Sequence, residues 1–176
     1  ELQGPIINWQ KNGQIENEGQ YKDGKMCGKW TVYDKNGIRE GEGYFNDNIP
    51  YGIWFCYYDN GNIRLVSYLK DDGYSGETIG YHETGEFKSK EFFKNGKTDG
   101  KIIQYYKNGQ IKIEGYYKDD IPAGKTTAYY EDGTIKEEGY RENGKEVGEW
   151  FYYNKKGEII KVETCDNGEI IDIKEY

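Results

Sequence analysis

The sequence predicts an all-β fold: an elongated, twisted, single-layer antiparallel sheet of about fourteen short strands, built from seven β-hairpin repeats of 24 residues. Three features that recur at this period support the prediction. The first is the glycine series Gly13, Gly37, Gly61, Gly85, Gly109, Gly133 and Gly157. The second is the glycine series Gly28, Gly52, Gly76, Gly100, Gly124 and Gly148. The third is an aromatic column, Trp9, Tyr33, Tyr57, Tyr81, Tyr105, Tyr129 and Tyr153.

Each repeat divides into two predicted strands and two turns. A run such as Trp54–Tyr58 is rich in aromatic residues, which is typical of a strand. It ends at Asn60-Gly61, a pair that accepts positive φ at little cost and therefore favours a hairpin. A return strand follows in each repeat, as at Ile111–Tyr117, and a second turn of the Asn143-Gly144 type closes it.

The segment that leads from the second turn to the next strand carries the second glycine series. Pro50 and Pro122 occupy the same position in it, and proline lacks a backbone N–H, so we expect a connector outside the hydrogen-bonded ladder. A further set of small residues falls inside the return strands. We expect these to let an aromatic side chain of a neighbouring strand lie across the backbone: Gly19, Gly43, Gly115 and Gly139.

Composition and charge restrict the classes of partner. Hydrophobic residues make up 35% and charged residues 32%, which alone would be typical of disorder, but nineteen Tyr, six Phe and four Trp supply large apolar surfaces. The formal net charge is −8. An acidic surface repels phosphate backbones and anionic headgroups, so we expect no nucleic-acid partner and favour a basic protein.

Segments outside the array are short. Residues 1–5 are predicted to be a leader or remnant, residues 6–173 a single array of seven repeats, and residues 174–176 a tail. No apolar run approaches the roughly 18 residues of a transmembrane helix, so no membrane insertion is expected. The compartment stays open at this point, with the cytoplasm slightly favoured over export or the cell surface.

Candidate catalytic and metal chemistry is weak. The single histidine, His82, stands in a column of tyrosines without a nucleophile motif beside it. The cysteines Cys27, Cys56 and Cys165 match no metal spacing, and no glycine-rich stretch forms a phosphate loop. A carboxylate column recurs with the repeat and is interpreted as a solvated strand face: Glu18, Glu42, Glu114 and Glu138. We therefore expect no catalysis, no metal and no cofactor.

Two further aromatic columns allow a structural and a functional hypothesis. They are Tyr44, Tyr68, Phe92, Tyr116 and Tyr140, and Tyr21, Phe45, Phe93 and Tyr117. Cross-strand aromatic ladders can hold a single-layer sheet together, whereas exposed aromatic rows bind proteins, peptides or sugars. Neighbouring residues alternate between faces, so one face could serve each role. The residues assigned to partner binding are Trp54, Tyr58, Tyr68, His82, Phe92, Tyr106, Tyr116, Tyr130 and Trp150.

Several stretches carry a specific resemblance. Gly52–Gly61 and Gly148–Gly157 share the pattern of glycine, tryptophan, two tyrosines and a closing glycine, and Glu114–Asp119 supplies the second half. This pattern resembles the MORN repeat, and within it the bacterial MORN-2 variant, over residues 6 to about 173. Repeats three and four depart most from it, so a specialised site would be sought first at Leu65–Phe93. The departures are Val66-Ser67, Thr78 and Lys90-Glu91.

The resemblance implies a scaffold or binding surface rather than an enzyme. Bacterial proteins that resemble this chain are often grouped with the YwqK-type antitoxins, and others are exported. The leading hypothesis is therefore a non-enzymatic protein-interaction module, an antitoxin or immunity-type protein with a basic toxin as its partner. The alternatives are an exported or cell-surface protein that binds host proteins or glycans, and a scaffold that self-associates through open terminal strands.

Overall fold

The computed structural model describes residues 1–176 and contains fifteen β-strands and no helix. The prediction of an all-β antiparallel fold is confirmed, with fifteen strands where about fourteen were expected. No helix is present that could cross a membrane. The strands are β1 (Gly4–Trp9), β2 (Ile15–Lys22), β3 (Lys25–Tyr33), β4 (Arg39–Asn46), β5 (Ile49–Tyr57), β6 (Ile63–Leu69), β7 (Gly76–Tyr81), β8 (Phe87–Lys94), β9 (Lys97–Tyr105), β10 (Ile111–Lys118), β11 (Ile121–Tyr129), β12 (Ile135–Glu142), β13 (Lys145–Tyr153), β14 (Ile159–Asp166) and β15 (Glu169–Glu175).

The chain forms two compact units. Unit 1 is Glu1–Glu86 and holds β1 to β7, and unit 2 is Phe87–Tyr176 and holds β8 to β15. Within each unit the strands follow chain order in an open antiparallel sheet, and no second layer covers it. The boundaries predicted for the array, residues 6 and 173, fall inside β1 and β15. Both terminal strands pair with a neighbour over most of their length.

The two turns of a repeat use different backbone geometry, although both are rich in Asn, Asp and Gly. At the first turn, Gly61 N donates to Tyr58 O at 2.9 Å and Gly61 has φ 84°, which gives a type I turn followed by a left-handed glycine. At the second, Asp23 and Gly24 have φ values of 51° and 77°. Two consecutive positive φ values define the tight two-residue hairpin that matches the twist of its strands.

The predicted connector after the second turn is wrong. β3 runs without a break from Lys25 to Tyr33, and Gly28 lies inside it with φ 64° at a shift in register against β2. Pro50 likewise lies within β5, directly opposite Phe45. A glycine with positive φ can form a β-bulge, after which the ladder resumes, so Gly28 bends β3 and does not interrupt it.

In each unit one face of the sheet carries tryptophans and is named here the tryptophan face: Trp30 and Trp54 in unit 1, and Trp150 in unit 2. Each ring lies across a glycine of the preceding strand: a Cβ added at Gly19, Gly43 or Gly139 would stand 2.2 to 2.3 Å from the Cδ2 atom of the opposing ring. In unit 1 the rings form an edge-on ladder with the third aromatic column, with centroid distances of 5.4 Å for Tyr21–Trp30, 6.2 Å for Trp30–Phe45 and 5.1 Å for Phe45–Trp54.

The expected role of the small glycines is thus confirmed at three positions and wrong at the fourth. Opposite Gly115 stands Thr126, whose Oγ1 atom would lie 3.3 Å from an added Cβ. In the irregular centre, Ser67 replaces the glycine and Thr78 replaces the tryptophan, and their hydroxyl oxygens lie 2.9 Å apart in a hydrogen bond. The two positions therefore differ from the repeat pattern together, because a large ring and a side chain cannot share the same space.

Candidate functional site

The opposite face, named here the carboxylate face, is organised by bonds between tyrosines and glutamates. Strand neighbours alternate, so Glu42 and its partner Phe55 point away from Gly43 and Trp54. Four tyrosines of the aromatic column that includes Tyr57 donate their hydroxyls to glutamates 15 residues earlier, so these members of the column have a structural role in the sheet. The O–O distances are 2.7 Å for Tyr33–Glu18, 2.8 Å for Tyr57–Glu42, 2.8 Å for Tyr129–Glu114 and 3.0 Å for Tyr153–Glu138.

The second oxygen of three of these carboxylates binds a lysine. The N–O distances are 2.9 Å for Lys29–Glu42, 2.7 Å for Lys101–Glu114 and 2.9 Å for Lys125–Glu138. The glutamate side chains are only 15%, 25% and 20% exposed. The interpretation of the column as a solvated face is therefore wrong for these three glutamates, since both oxygens of each carboxylate are bound within the sheet.

Electrostatics fix the protonation of this network. The Lys101 ammonium and the Tyr129 hydroxyl hold the pKa of Glu114 below its usual value. Burial, together with the bond to Glu114, raises the pKa of Tyr129 to about 12. At neutral pH the carboxylate is therefore ionised and the phenol neutral, which is the combination that this hydrogen bond requires.

Three residues predicted to bind a partner instead join successive repeats. The hydroxyls of Tyr58, Tyr106 and Tyr130 donate to the backbone oxygens of Tyr81, Tyr129 and Tyr153 at 2.8, 2.7 and 2.8 Å. Each ring is half-buried. Their hydroxyls are therefore bound within the protein and join one repeat to the next.

His82 occupies the same column as those tyrosines. Its ring is half-buried, and its Nε2 atom is buried without a hydrogen-bond partner. A catalytic base is oriented by a hydrogen bond to one of its ring nitrogens, and Nε2 of His82 has no such bond. No group of acidic, histidine and cysteine residues is placed to hold a metal ion.

The two tryptophans assigned to partner binding lie on the tryptophan face. Trp150 is 2% exposed and its Nε1 donates to Tyr140 O at 3.2 Å, so it is a core residue and its assignment to a binding surface is corrected. Trp54 is half-buried and donates to Tyr44 O in the same manner. The remaining assigned residues, Tyr68, Phe92 and Tyr116, belong to the opposite face and are 42%, 36% and 50% exposed.

In unit 1 the carboxylate face carries four neighbouring exposed apolar side chains, named here the unit 1 patch: Tyr44, Tyr51, Ile53 and Tyr68. The ring centroids of Tyr44 and Tyr51 lie 6.2 Å apart, and Ile53 stands directly opposite Tyr68. Their exposed fractions are 45%, 37%, 43% and 42%. All four are therefore held in place by a β-ladder yet open to solvent.

The equivalent surface of unit 2 has a different composition. Tyr116 and Tyr140 are exposed, and each stands between a lysine and a small or aliphatic residue: Tyr116 between Lys101 and Ala123, and Tyr140 between Lys125 and Val147. Tyr44 also stands opposite a lysine, Lys29, but its other neighbour is the exposed ring of Tyr51. Tyr68 stands opposite Ile53 where Tyr116 and Tyr140 meet a lysine. Sequence reasoning missed Tyr51 and Ile53, although one signal was available: Ile53 is apolar where other repeats carry Lys29, Glu77, Lys101, Lys125 and Glu149.

Comparison with known proteins gives one family. The model described as a MORN repeat variant matches residues 2–23, 26–47, 50–71, 98–119 and 123–145, which together make up more than half of the chain. No curated protein matches the sequence. The unmatched stretch between residues 71 and 98 includes Thr78 and the Lys90-Glu91 pair, at which the repeat pattern fails.

Proposed function

We propose, on the premise that this chain belongs to the MORN repeat variant family, that it is a non-enzymatic module that binds another protein through the unit 1 patch. MORN repeats are generally interaction modules for proteins and membranes. The observation that carries the proposal is the ordered set of neighbouring exposed side chains Tyr44, Tyr51, Ile53 and Tyr68. Single exposed apolar residues are ordinary on protein surfaces, but adjacent ones mark contact sites.

The chemistry of the patch suits a protein partner. Tyrosine combines a large apolar ring with a hydroxyl, and it is enriched among the residues that dominate binding energy. The patch lies beside the network of Glu42, Tyr57 and Lys29, which fixes the β-ladder beneath it. A rigid platform loses little conformational entropy on binding, which favours affinity.

Charge indicates the class of partner. The formal net charge of −8 favours association with a basic protein, because complementary potentials speed encounter and disfavour other acidic surfaces. We propose an antitoxin or immunity-type role, in which the chain covers a basic toxin. Family membership supports the interaction role, and the negative net charge of the chain supports a partner with a positive net charge.

Affinity capture with matched variants tests this function. The wild-type chain and an Ile53→Ser/Tyr68→Ser variant are immobilised and exposed to extract of the source cell at low and high salt. The control is Tyr74→Ser, which removes a 61% exposed tyrosine from the turn between β6 and β7. We expect one basic protein to bind the wild type and the control, and to be lost from the patch variant and at high salt.

The antitoxin role has its own readout. The captured protein is expressed alone and together with the chain, and we expect growth arrest in the first case and growth in the second. Capture that is unaffected by the patch variant would show that the contact lies elsewhere. A glycan or a second copy of the chain as the retained ligand would instead favour a surface-binding or scaffold role.

A further inference from the structure

One glutamate of the carboxylate face lacks the cation that its counterparts have. Glu42, Glu114 and Glu138 each accept a bond from a tyrosine and pair with a lysine. Glu18 accepts the bond from Tyr33 at 2.7 Å through Oε1, but no ion pair reaches it. Glu18 is therefore a half-buried carboxylate with one oxygen unpaired.

The register explains the missing cation. In the other repeats the lysine stands directly opposite the residue two positions after the glutamate, as Lys101 stands opposite Tyr116 and Lys125 opposite Tyr140. In the first hairpin the corresponding pair is Pro5 and Gln20. Proline carries no charge, so Pro5 cannot supply the ammonium group that a lysine supplies at this position.

The space beside Glu18 is open. A cavity of about 430 Å³ is lined by Pro5, Ile7, Glu18, Gln20, Lys29 and Thr31, among others. Lys29 does not fill the missing role, because its Nζ lies 2.9 Å from Oε2 of Glu42. The cavity thus combines an unpaired carboxylate, the amide of Gln20 and the exposed apolar side chain of Ile7.

We infer that Glu18 is a subsite for a lysine or arginine side chain of a bound protein. The partner's cation takes the position that Lys29, Lys101 and Lys125 take within the chain, and its apolar stem lies against Ile7. The subsite rests on the proposed function, since it supplies a charged contact on the same face and in the same unit as the unit 1 patch. In this subsite Glu18 is the residue that recognises the positive charge of the proposed basic partner.

A peptide titration tests the subsite without the partner. The probe is acetyl-Trp-Arg-amide, and its control is acetyl-Trp-citrulline-amide, in which a neutral urea replaces the guanidinium. Both are titrated into the ¹⁵N-labelled full chain, and backbone amide shifts are followed. We expect the arginine peptide alone to shift the amides of Glu18, Gln20 and Thr31.

Three variants assign the contact. Glu18→Gln should weaken arginine-peptide binding about two- to fivefold, the range expected for one exposed ion pair. Glu16→Gln removes the same charge two residues earlier on the same strand, outside the cavity, and should leave binding unchanged. Pro5→Lys should abolish the shifts, because its ammonium pairs with Glu18 within the chain.

The outcomes separate the two proposals. Equal weakening by Glu16→Gln and Glu18→Gln, or undiminished binding to Pro5→Lys, would overturn the subsite and show that the peptide senses only overall charge. Neither result would affect capture by the unit 1 patch. If the peptide does not bind at Glu18 but the unit 1 patch still captures the partner, the inference alone is overturned. If the peptide binds at Glu18 but partner capture does not depend on the unit 1 patch, the proposed function alone is overturned.

Discussion

Two neighbouring hairpins of unit 2 show how the repeat tolerates a change at its core. In the hairpin of β12 and β13, Trp150 lies across Gly139 and is 2% exposed. In the hairpin of β10 and β11, Thr126 takes the place of the tryptophan and faces Gly115 without covering it. Both hairpins keep the bond between tyrosine and glutamate and the ion pair to lysine on the opposite face.

The difference separates what every repeat needs from what only some repeats use. The network on the carboxylate face recurs in both hairpins, so it does not depend on the tryptophan. The glycine is sterically required only beneath the tryptophan, because an added Cβ would stand 2.3 Å from the ring at Gly139 and 3.3 Å from Thr126 at Gly115. The tryptophan face is therefore the variable side of the repeat in unit 2.

The largest effect is expected at the buried ring. Trp150→Thr makes the second hairpin resemble the first, but it removes a fully buried side chain, and we expect a loss of about 3–5 kcal/mol in the free energy of unfolding. Urea denaturation followed by circular dichroism measures it. Thr126→Ala, the matched change in the other hairpin, should cost about 1 kcal/mol or less. Equal losses would contradict a special role for the tryptophan.

The next effect is steric. Gly139→Ala places a methyl group against Trp150, and we expect a loss of about 1–3 kcal/mol in the free energy of unfolding, whereas Gly115→Ala should change stability by less than about 0.5 kcal/mol. Neither glycine has positive φ, so backbone strain does not enter. Combining Gly139→Ala with Trp150→Thr should remove most of the penalty of the alanine, and additive losses would refute a direct clash.

The comparison can also be run in the opposite direction. Thr126→Trp should be accepted, and should raise the free energy of unfolding by about 1 kcal/mol, because Gly115 leaves room for the ring. Thr78→Trp in unit 1 should lower it by about 1–3 kcal/mol, because Ser67 occupies the corresponding space. Thermal denaturation of the two variants distinguishes them, and a loss at both positions would show that the facing glycine is not sufficient.

The shared network should respond alike in both hairpins. Tyr129→Phe and Tyr153→Phe each remove one hydroxyl from a half-buried carboxylate, and we expect a similar loss of about 1 kcal/mol from each. Urea midpoints measure both. Tyr140→Phe, which removes a hydroxyl from an exposed ring, is the control and should have no measurable effect. A clear difference between the first two variants would tie the network to the tryptophan after all.

The smallest effect is a dependence on pH. Lysine and tyrosine partners hold the pKa values of Glu114 and Glu138 below the usual 4.5. The resulting stability is fully present above that value and is lost as the pH falls through the lowered pKa of each folded carboxyl. Glu114→Gln and Glu138→Gln should each flatten this slope in acid denaturation curves. A slope unchanged in both variants would assign the acid sensitivity to other groups.

Much of the repeat could be predicted because its signals are local. Asn60-Gly61 and Asp23-Gly24 identify turns by their backbone preferences, and both lie at observed turns. The bulge at Gly28 was mistaken for a connector, since positive φ in a glycine fits a loop and a bulge equally well. Only the ladder on both sides of Gly28 distinguishes the two. Pro50 was placed in the same connector, although it pairs with Phe45 in the ladder.

The binding surface was harder to predict. Alternation along a strand correctly separates Trp54 from Phe55, but it does not say which face is covered. The assigned residues were consequently drawn from both faces, and Trp150 proved to be core while Tyr51 and Ile53 were overlooked. The contacts that decide exposure join residues on different strands, so they cannot be predicted from the sequence of one strand.

The sequence by itself determined the 24-residue period, the strands, the turns and the need for small residues in the return strands. These follow from backbone conformation and side-chain volume, which act within a few residues. The tertiary structure alone decided that Glu42 and its counterparts are half-buried between tyrosine and lysine, and that Glu18 lacks the lysine. Those partners lie 13 or 15 residues away, and the register between strands, set by the bulge and the turn together, brings them into contact.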